Sequence, residues 1–68
     1  MGTDLELKAP EGKFRVVGVD TFDGTEWVEG DYDTYLMAQS VALKKGGAML
    51  KTHVYDENGK HLFEAGTF

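Results

Sequence analysis

Residues 34–47 read Thr-Tyr-Leu-Met-Ala-Gln-Ser-Val-Ala-Leu-Lys-Lys-Gly-Gly, and this stretch decides the fold. It predicts the one helix of the chain. Asp33 and Thr34 are both natural N-caps, because a short side-chain oxygen accepts from the free N–H groups of the first turn. Lys44 and Lys45 suit the negative end of the helix dipole, and Gly46-Gly47 predicts a left-handed C-cap. No charged residue lies between Tyr35 and Leu43, which is unusual for a helix in an acidic chain. At about 100° per residue, Tyr35, Ala38, Val41 and Ala42 form one apolar arc suited to close packing on a sheet. Leu36 and Leu43, at i and i+7, fall on one flank of that arc, and Met37 falls on the other. A single sheet does not readily cover all three. Either loops or the N-terminal arm bury the leucines, or Leu36, Met37 and Leu43 form a partner interface, most simply with their own copies across a two-fold axis.

Outward from the helix, the chain reads as two hairpins. Residues 14–22 are rich in β-branched and aromatic side chains and predict a strand. Asp23-Gly24 then predicts a two-residue turn, with a return strand over 25–32. That turn sets Phe22 opposite Thr25, Val19 opposite Val28 and Val17 opposite Gly30. Val17, Val19, Val28 and Tyr32 then share one face, expected beneath the helix, with Phe14, Val16, Phe22 and Trp27 outside. After the helix, 48–55 and 60–68 predict two further strands, joined by Asp56-Glu57-Asn58-Gly59 as a type I turn closed by a glycine bulge. With Asp56 opposite Lys60, His53 faces Phe63 and Val54 faces Leu62. Leu50, Thr52, Val54 and Leu62, joined by Phe68, are expected on the helix side. Met49, His53, Tyr55, His61, Phe63 and Ala65 are expected on the outer side. The order is ββαββ: an α+β two-layer domain over 14–68, with a four-stranded, mainly antiparallel sheet and one helix on one face. Residues 1–13 carry Pro10, Gly12 and mixed charge, and read as a flexible arm. The alternation at Leu5 and Leu7 leaves a short edge strand as the alternative.

Sixty-eight residues make one small domain. A chain of this size buries only about 60% of the surface it exposes when unfolded, so a staple or a partner matters to its stability. Cysteine is absent, which excludes a disulfide and a thiolate metal site. The net charge of −5 argues against nucleic acid and against an anionic membrane surface. No apolar run is long enough to span a bilayer, and Glu6 stands where a myristoylation signal needs Ser or Thr. A soluble, cytoplasmic protein is the expectation.

Chemistry-bearing patterns are sparse. The 56–59 loop resembles part of a calcium loop, but its first and twelfth ligand positions would be Val54 and Ala65. Ser40 is the only serine and sits mid-helix with no nucleophile elbow. Asp20, Glu29 and Asp31 are expected together on the outer face of the first hairpin, as solvating charge. His53 and His61 are expected diagonal to one another on the outer face of the second hairpin. Two nitrogens alone do not make a stable zinc site, and Glu64 is expected on the opposite face, so no metal and no cofactor are expected. The function expected is a non-catalytic protein–protein interaction or regulatory module, homodimeric through the helix. The alternative is a small-ligand- or nucleic-acid-binding domain using an outer aromatic patch of Phe14, Phe22, Trp27, Tyr55 and Phe63.

Overall fold

A computed structural model of the chain describes residues 6–67. Its elements are β1 (Phe14–Asp20), β2 (Glu26–Tyr32), α1 (Tyr35–Lys45), β3 (Leu50–Tyr55) and β4 (His61–Ala65). The strands form one antiparallel sheet in the order β2-β1-β3-β4, and α1 lies across a single face in contact with all four. This is the α+β ββαββ arrangement expected. Because β1 is antiparallel to both its neighbours, β2 and β3 run parallel with β1 between them, and α1 is the crossover that joins them.

The helix begins as expected. The Thr34 Oγ1 accepts from the Met37 N–H at 3.2 Å, and Lys44 and Lys45 occupy the last turn. Its end differs from expectation. Gly46 has φ −68° and ψ 148°, an extended conformation, and no left-handed cap forms. Glycine is needed there for closeness instead: a Cβ on Gly46 would stand 3.0 Å from the Gly66 nitrogen and 3.1 Å from the Ala42 oxygen. The left-handed residue in this connection is Met49, with φ 60°. It sits in the turn that Gly47 and Leu50 close by exchanging backbone hydrogen bonds.

The core is small-residue helix on branched strand. Ala38 and Ala42 are fully buried against Val16 of β1 and Val54 of β3, ringed by Phe14, Tyr32, Tyr35, Val41, Leu62 and Phe63. The Thr52 hydroxyl, also fully buried, donates to the Ala42 carbonyl at 2.7 Å and ties β3 to the helix. The faces of the first hairpin are therefore the reverse of those expected, except at Tyr32, which lies on the helix side as expected. Phe14, Val16 and Trp27 lie on the helix side, and Val17, Val19 and Val28 on the other. The pairing within the hairpin differs as well, through two local features. The β1–β2 loop has four residues, 21–24, not two: Asp20 N–H donates to Thr25 O, and the Asp20 and Asp23 carboxylates cap the Phe22 and Thr25 N–H groups. Val17 accordingly pairs with Val28 and Gly18 with Trp27. A bulge then inserts Glu29 between the Val17–Val28 and Val16–Gly30 pairs, so that Tyr32 comes opposite Phe14 on the core side.

Gly18 and Gly30 make that aromatic face possible. A Cβ on Gly18 would stand 2.6 Å from the Trp27 ring, and one on Gly30 would stand 2.7 Å from the Tyr32 hydroxyl. Each glycine leaves room for the ring beside it, and the Trp27 Nε1–H donates to Glu29 at 2.5 Å, which fixes the indole.

The second hairpin starts in the expected register. Asp56 pairs with Lys60 through its backbone N–H, its carboxylate accepts from the Asn58 and Lys60 N–H groups, and Gly59 has φ 81°. Tyr55 pairs with His61. A bulge at Leu62 then shifts the register by one, so that Val54 pairs with Phe63, His53 with Glu64 and Thr52 with Ala65. Leu62 and Phe63 both pack on the core, and the expectation that Phe63 and Ala65 lie outside is corrected.

Residues 1–5 and Phe68 lie outside the described residues, and with them the expected contribution of Phe68 to the core and of Leu5 to an edge strand. Residues 6–13 form no strand. Ala9 is buried and donates its N–H to the Asp56 carbonyl at 3.0 Å, and the Arg15 guanidinium donates to the Glu6 carbonyl and to both carboxylate oxygens of Asp31.

Two substitutions test this packing. Gly18→Ala is expected to cost about 1–2 kcal/mol in urea unfolding, because the indole must leave its seat. In a Trp27→Ala background the same change should cost nothing measurable; an equal cost there would separate Gly18 from the ring. Met49→Gly is expected to stabilise by about 0.5–1 kcal/mol, since a left-handed conformation is unfavourable for any residue with a Cβ. A destabilised Met49→Gly protein would show that the Met49 side chain outweighs its backbone strain.

Candidate functional site

The structure separates the residues that the sequence grouped as an outer aromatic patch. Phe14 and Phe63 pack on the core, with Phe14 edge-on to Tyr35 at 6.1 Å between centroids. Trp27 covers Gly18 on the helix side, and Phe22 stands 80% exposed in the β1–β2 loop. Tyr55 alone lies on the outer face, opposite Arg15 and His61. The carboxylates divide in the same way: Asp31 binds Arg15, Glu29 binds Trp27, and Asp20 caps its own loop. A stacking platform is not assembled.

Two other regions draw chemistry together. The first is the outward side of α1. Leu36 is 73% exposed, Met37 52% and Leu43 59%. The helix thus turns Tyr35, Ala38, Val41 and Ala42 to the sheet, and Leu36, Met37 and Leu43 to solvent. Ser40 lies between the two leucines, and Lys44 and Lys45 close the ridge at its C-terminal end.

The second region is the outer face of the β3–β4 hairpin. In a regular strand, residues three apart point to opposite faces, which is why Glu64 was expected away from His61. The extra residue at Leu62 corrects this, placing Glu64 directly opposite His53 and on the same face as both imidazoles. His53 Nδ1 stands 3.0 Å from His61 Nε2, and the Glu64 Oε1 stands 3.8 Å from the former and 4.0 Å from the latter. The other carboxylate oxygen, Oε2, accepts from the Lys51 ammonium at 2.6 Å. The Tyr55 ring flanks both imidazoles, with centroids 6.2 Å from His53 and 5.4 Å from His61. Among the described residues, His53, His61 and Glu64 are the set whose ligand atoms lie close enough to share a metal ion. Sequence periodicity hides this set, because the bulge that creates it has no glycine or proline to mark it.

Burial, reinforced by His61, lowers the His53 pKa from the usual 6.5, while hydrogen bonding to Lys51 holds the Glu64 carboxyl below its ordinary range. A cleft of about 280 Å³ opens between Gly12–Phe14 and the 56–58 turn, away from both histidines. No helix among the described residues is long and apolar enough to cross a membrane. The chain matches no protein-family model, no curated protein and no solved structure.

The depressed His53 value has a direction in stability. Above about 6.5 neither the folded nor the unfolded chain holds this proton. As pH falls below that value the unfolded chain takes it up first, so folding stability declines until the folded imidazole also protonates. In chelator-treated protein, the His53 NMR titration midpoint should lie below 6.5, and urea-derived stability should fall across the same window. A midpoint above 6.5 would mean that Glu64 outweighs burial.

Proposed function

We propose that this domain is a non-catalytic protein–protein interaction module of the cytoplasm, and that the partner of its helix is a second copy of the chain. The observation that carries the reading is the exposure of Leu36, Met37 and Leu43 on the one helix. Helices that pack on a single sheet ordinarily turn their long apolar side chains inward, and this one turns both its leucines and its methionine out. A two-fold axis passing near Ser40 sets Leu36 of one copy beside Leu43 of the other, and the small serine lets the two helices approach. The helices then run antiparallel. Lys44 and Lys45 of each copy meet the Asp33 end of its partner, where the exposed carboxylate and the positive helix terminus sit together with Lys13. The antiparallel order opposes the helix dipoles. An eleven-residue helix is about 16 Å long, so the contact falls in the small, transient class of interfaces.

Sedimentation equilibrium from low micromolar to near-millimolar protein tests the reading. The wild type is expected to self-associate with a mass limit of two chains. Leu36→Glu combined with Leu43→Lys is expected to remain monomeric throughout, with an unchanged circular dichroism spectrum. A wild type that stays monomeric at about 1 mM, an affinity worth only about 4 kcal/mol, would end the proposal.

A further inference from the structure

We infer that the β3–β4 hairpin binds one divalent transition-metal ion of zinc's size and softness through His53 Nδ1, His61 Nε2 and Glu64 Oε1. The donors are two imidazoles and a carboxylate, a set that suits Zn(II), Ni(II) or Cu(II) rather than calcium or magnesium, which favour all-oxygen shells. The spacing fits as well. Tetrahedral bonds of about 2.0–2.1 Å set neighbouring ligand atoms about 3.3 Å apart. The three separations here, 3.0, 3.8 and 4.0 Å, straddle that value, so small rotations of the side chains close a shell around an ion.

The supports of the site favour the same conclusion. His53 lies in β3, which is paired on both sides, and its register partners are Val17 and Glu64. Lys51, two residues earlier on the same face, holds Glu64 by Oε2 and leaves Oε1 turned toward the imidazoles. Partners of this kind orient ligating carboxylates in metal sites. Tyr55 walls the histidines on one side. Where the metal-free protein sets the two ring nitrogens 3.0 Å apart, the ion takes the place of any proton between them and both present lone pairs to it. His61 and Glu64 are exposed, which leaves the fourth position open to water. The site lies on the sheet face opposite the helix, so it stands apart from the proposed dimer contact.

Zinc titrated calorimetrically into chelator-stripped protein near neutral pH should saturate at one ion per chain and raise the thermal unfolding midpoint. Co(II) in its place should give the intense visible absorption of a four-coordinate ion. His61→Ala and Glu64→Gln, both at exposed positions, should each weaken binding by about tenfold or more while leaving the metal-free melting curve close to wild type. Nitrogen-labelled NMR should place the zinc-induced shifts at residues 51–55 and 61–64. Absence of one-equivalent binding overturns the inference, as does wild-type affinity in a folded His61→Ala or Glu64→Gln protein, or shifts centred elsewhere. Sedimentation in chelator and in zinc separates this result from the helix-mediated dimer, which should be the same in both.

Discussion

The close approach of α1 to the centre of the sheet is the constraint on which the rest of the structure depends. Ala38 and Ala42 have no side chain beyond a methyl, so the helix backbone comes near enough for the Thr52 hydroxyl to reach the Ala42 carbonyl. Leucines at those two positions would lift the helix and break that bond. Closeness also fixes what surrounds the contact. Gly46 leaves the helix beside the backbone of Ala65 and Gly66, where even a Cβ is crowded. Tyr35, Phe14 and Tyr32 fill the margin at one end, and Leu62 and Phe63 join the ring. A helix held this close gives up the option of burying its own large residues, and Leu36, Met37 and Leu43 are left facing out.

The elements were legible because their signals are local. Thr34 caps, Lys44 and Lys45 close the last turn, and Asp56 with Gly59 makes the turn its residues demand. Register was legible only as far as the first irregularity. Asp56–Lys60 and Tyr55–His61 follow from the turn, and one extra residue at Leu62 then moves every later side chain to the other face. In the first hairpin Asp23-Gly24 carries a two-residue turn signal, yet Asp20 and Asp23 each cap an N–H two residues on and stabilise a four-residue loop. Side-chain oxygens competing for backbone donors are a small local term, and here they outweigh the dipeptide's preference.

The choice of buried face in β1 turns on Gly18 and Gly30 more than on Val17 and Val19. Aliphatic β-branched residues suit a helix-covered face, which favoured the valines, but a face with two glycines offers floor space for Trp27 and Tyr32. Aromatic rings carry a large apolar surface, and in this arrangement Trp27 and Tyr32 are half-buried on the helix side. Val17 is nonetheless buried on the outer face, between Val28 and His53. The outer face is therefore half apolar, half ionic, and its ionic half is organised: Arg15 with Asp31 over one pair of strands, Lys51 with Glu64 over the other.

A domain this thin leaves both surfaces energetically consequential. Its shortest extent is 15 Å, two layers with one contact plane between them, and no disulfide staples the chain. Conformational entropy grows with every ordered residue, while the core available to offset it stops at a few valines and alanines. Any ligand that binds only the folded form adds RT ln(1 + [L]/Kd), about 2.7 kcal/mol at a hundredfold excess over Kd. An ion on the hairpin would act at one of the two sheet edges, since β4 pairs within the sheet with β3 alone and that pairing is interrupted by a bulge. His61 and Glu64 belong to that strand and His53 to its neighbour, so a shared metal crosslinks the edge to the interior. A second copy on the helix would act on the opposite layer. Each would stabilise the fold through residues that the core itself does not use.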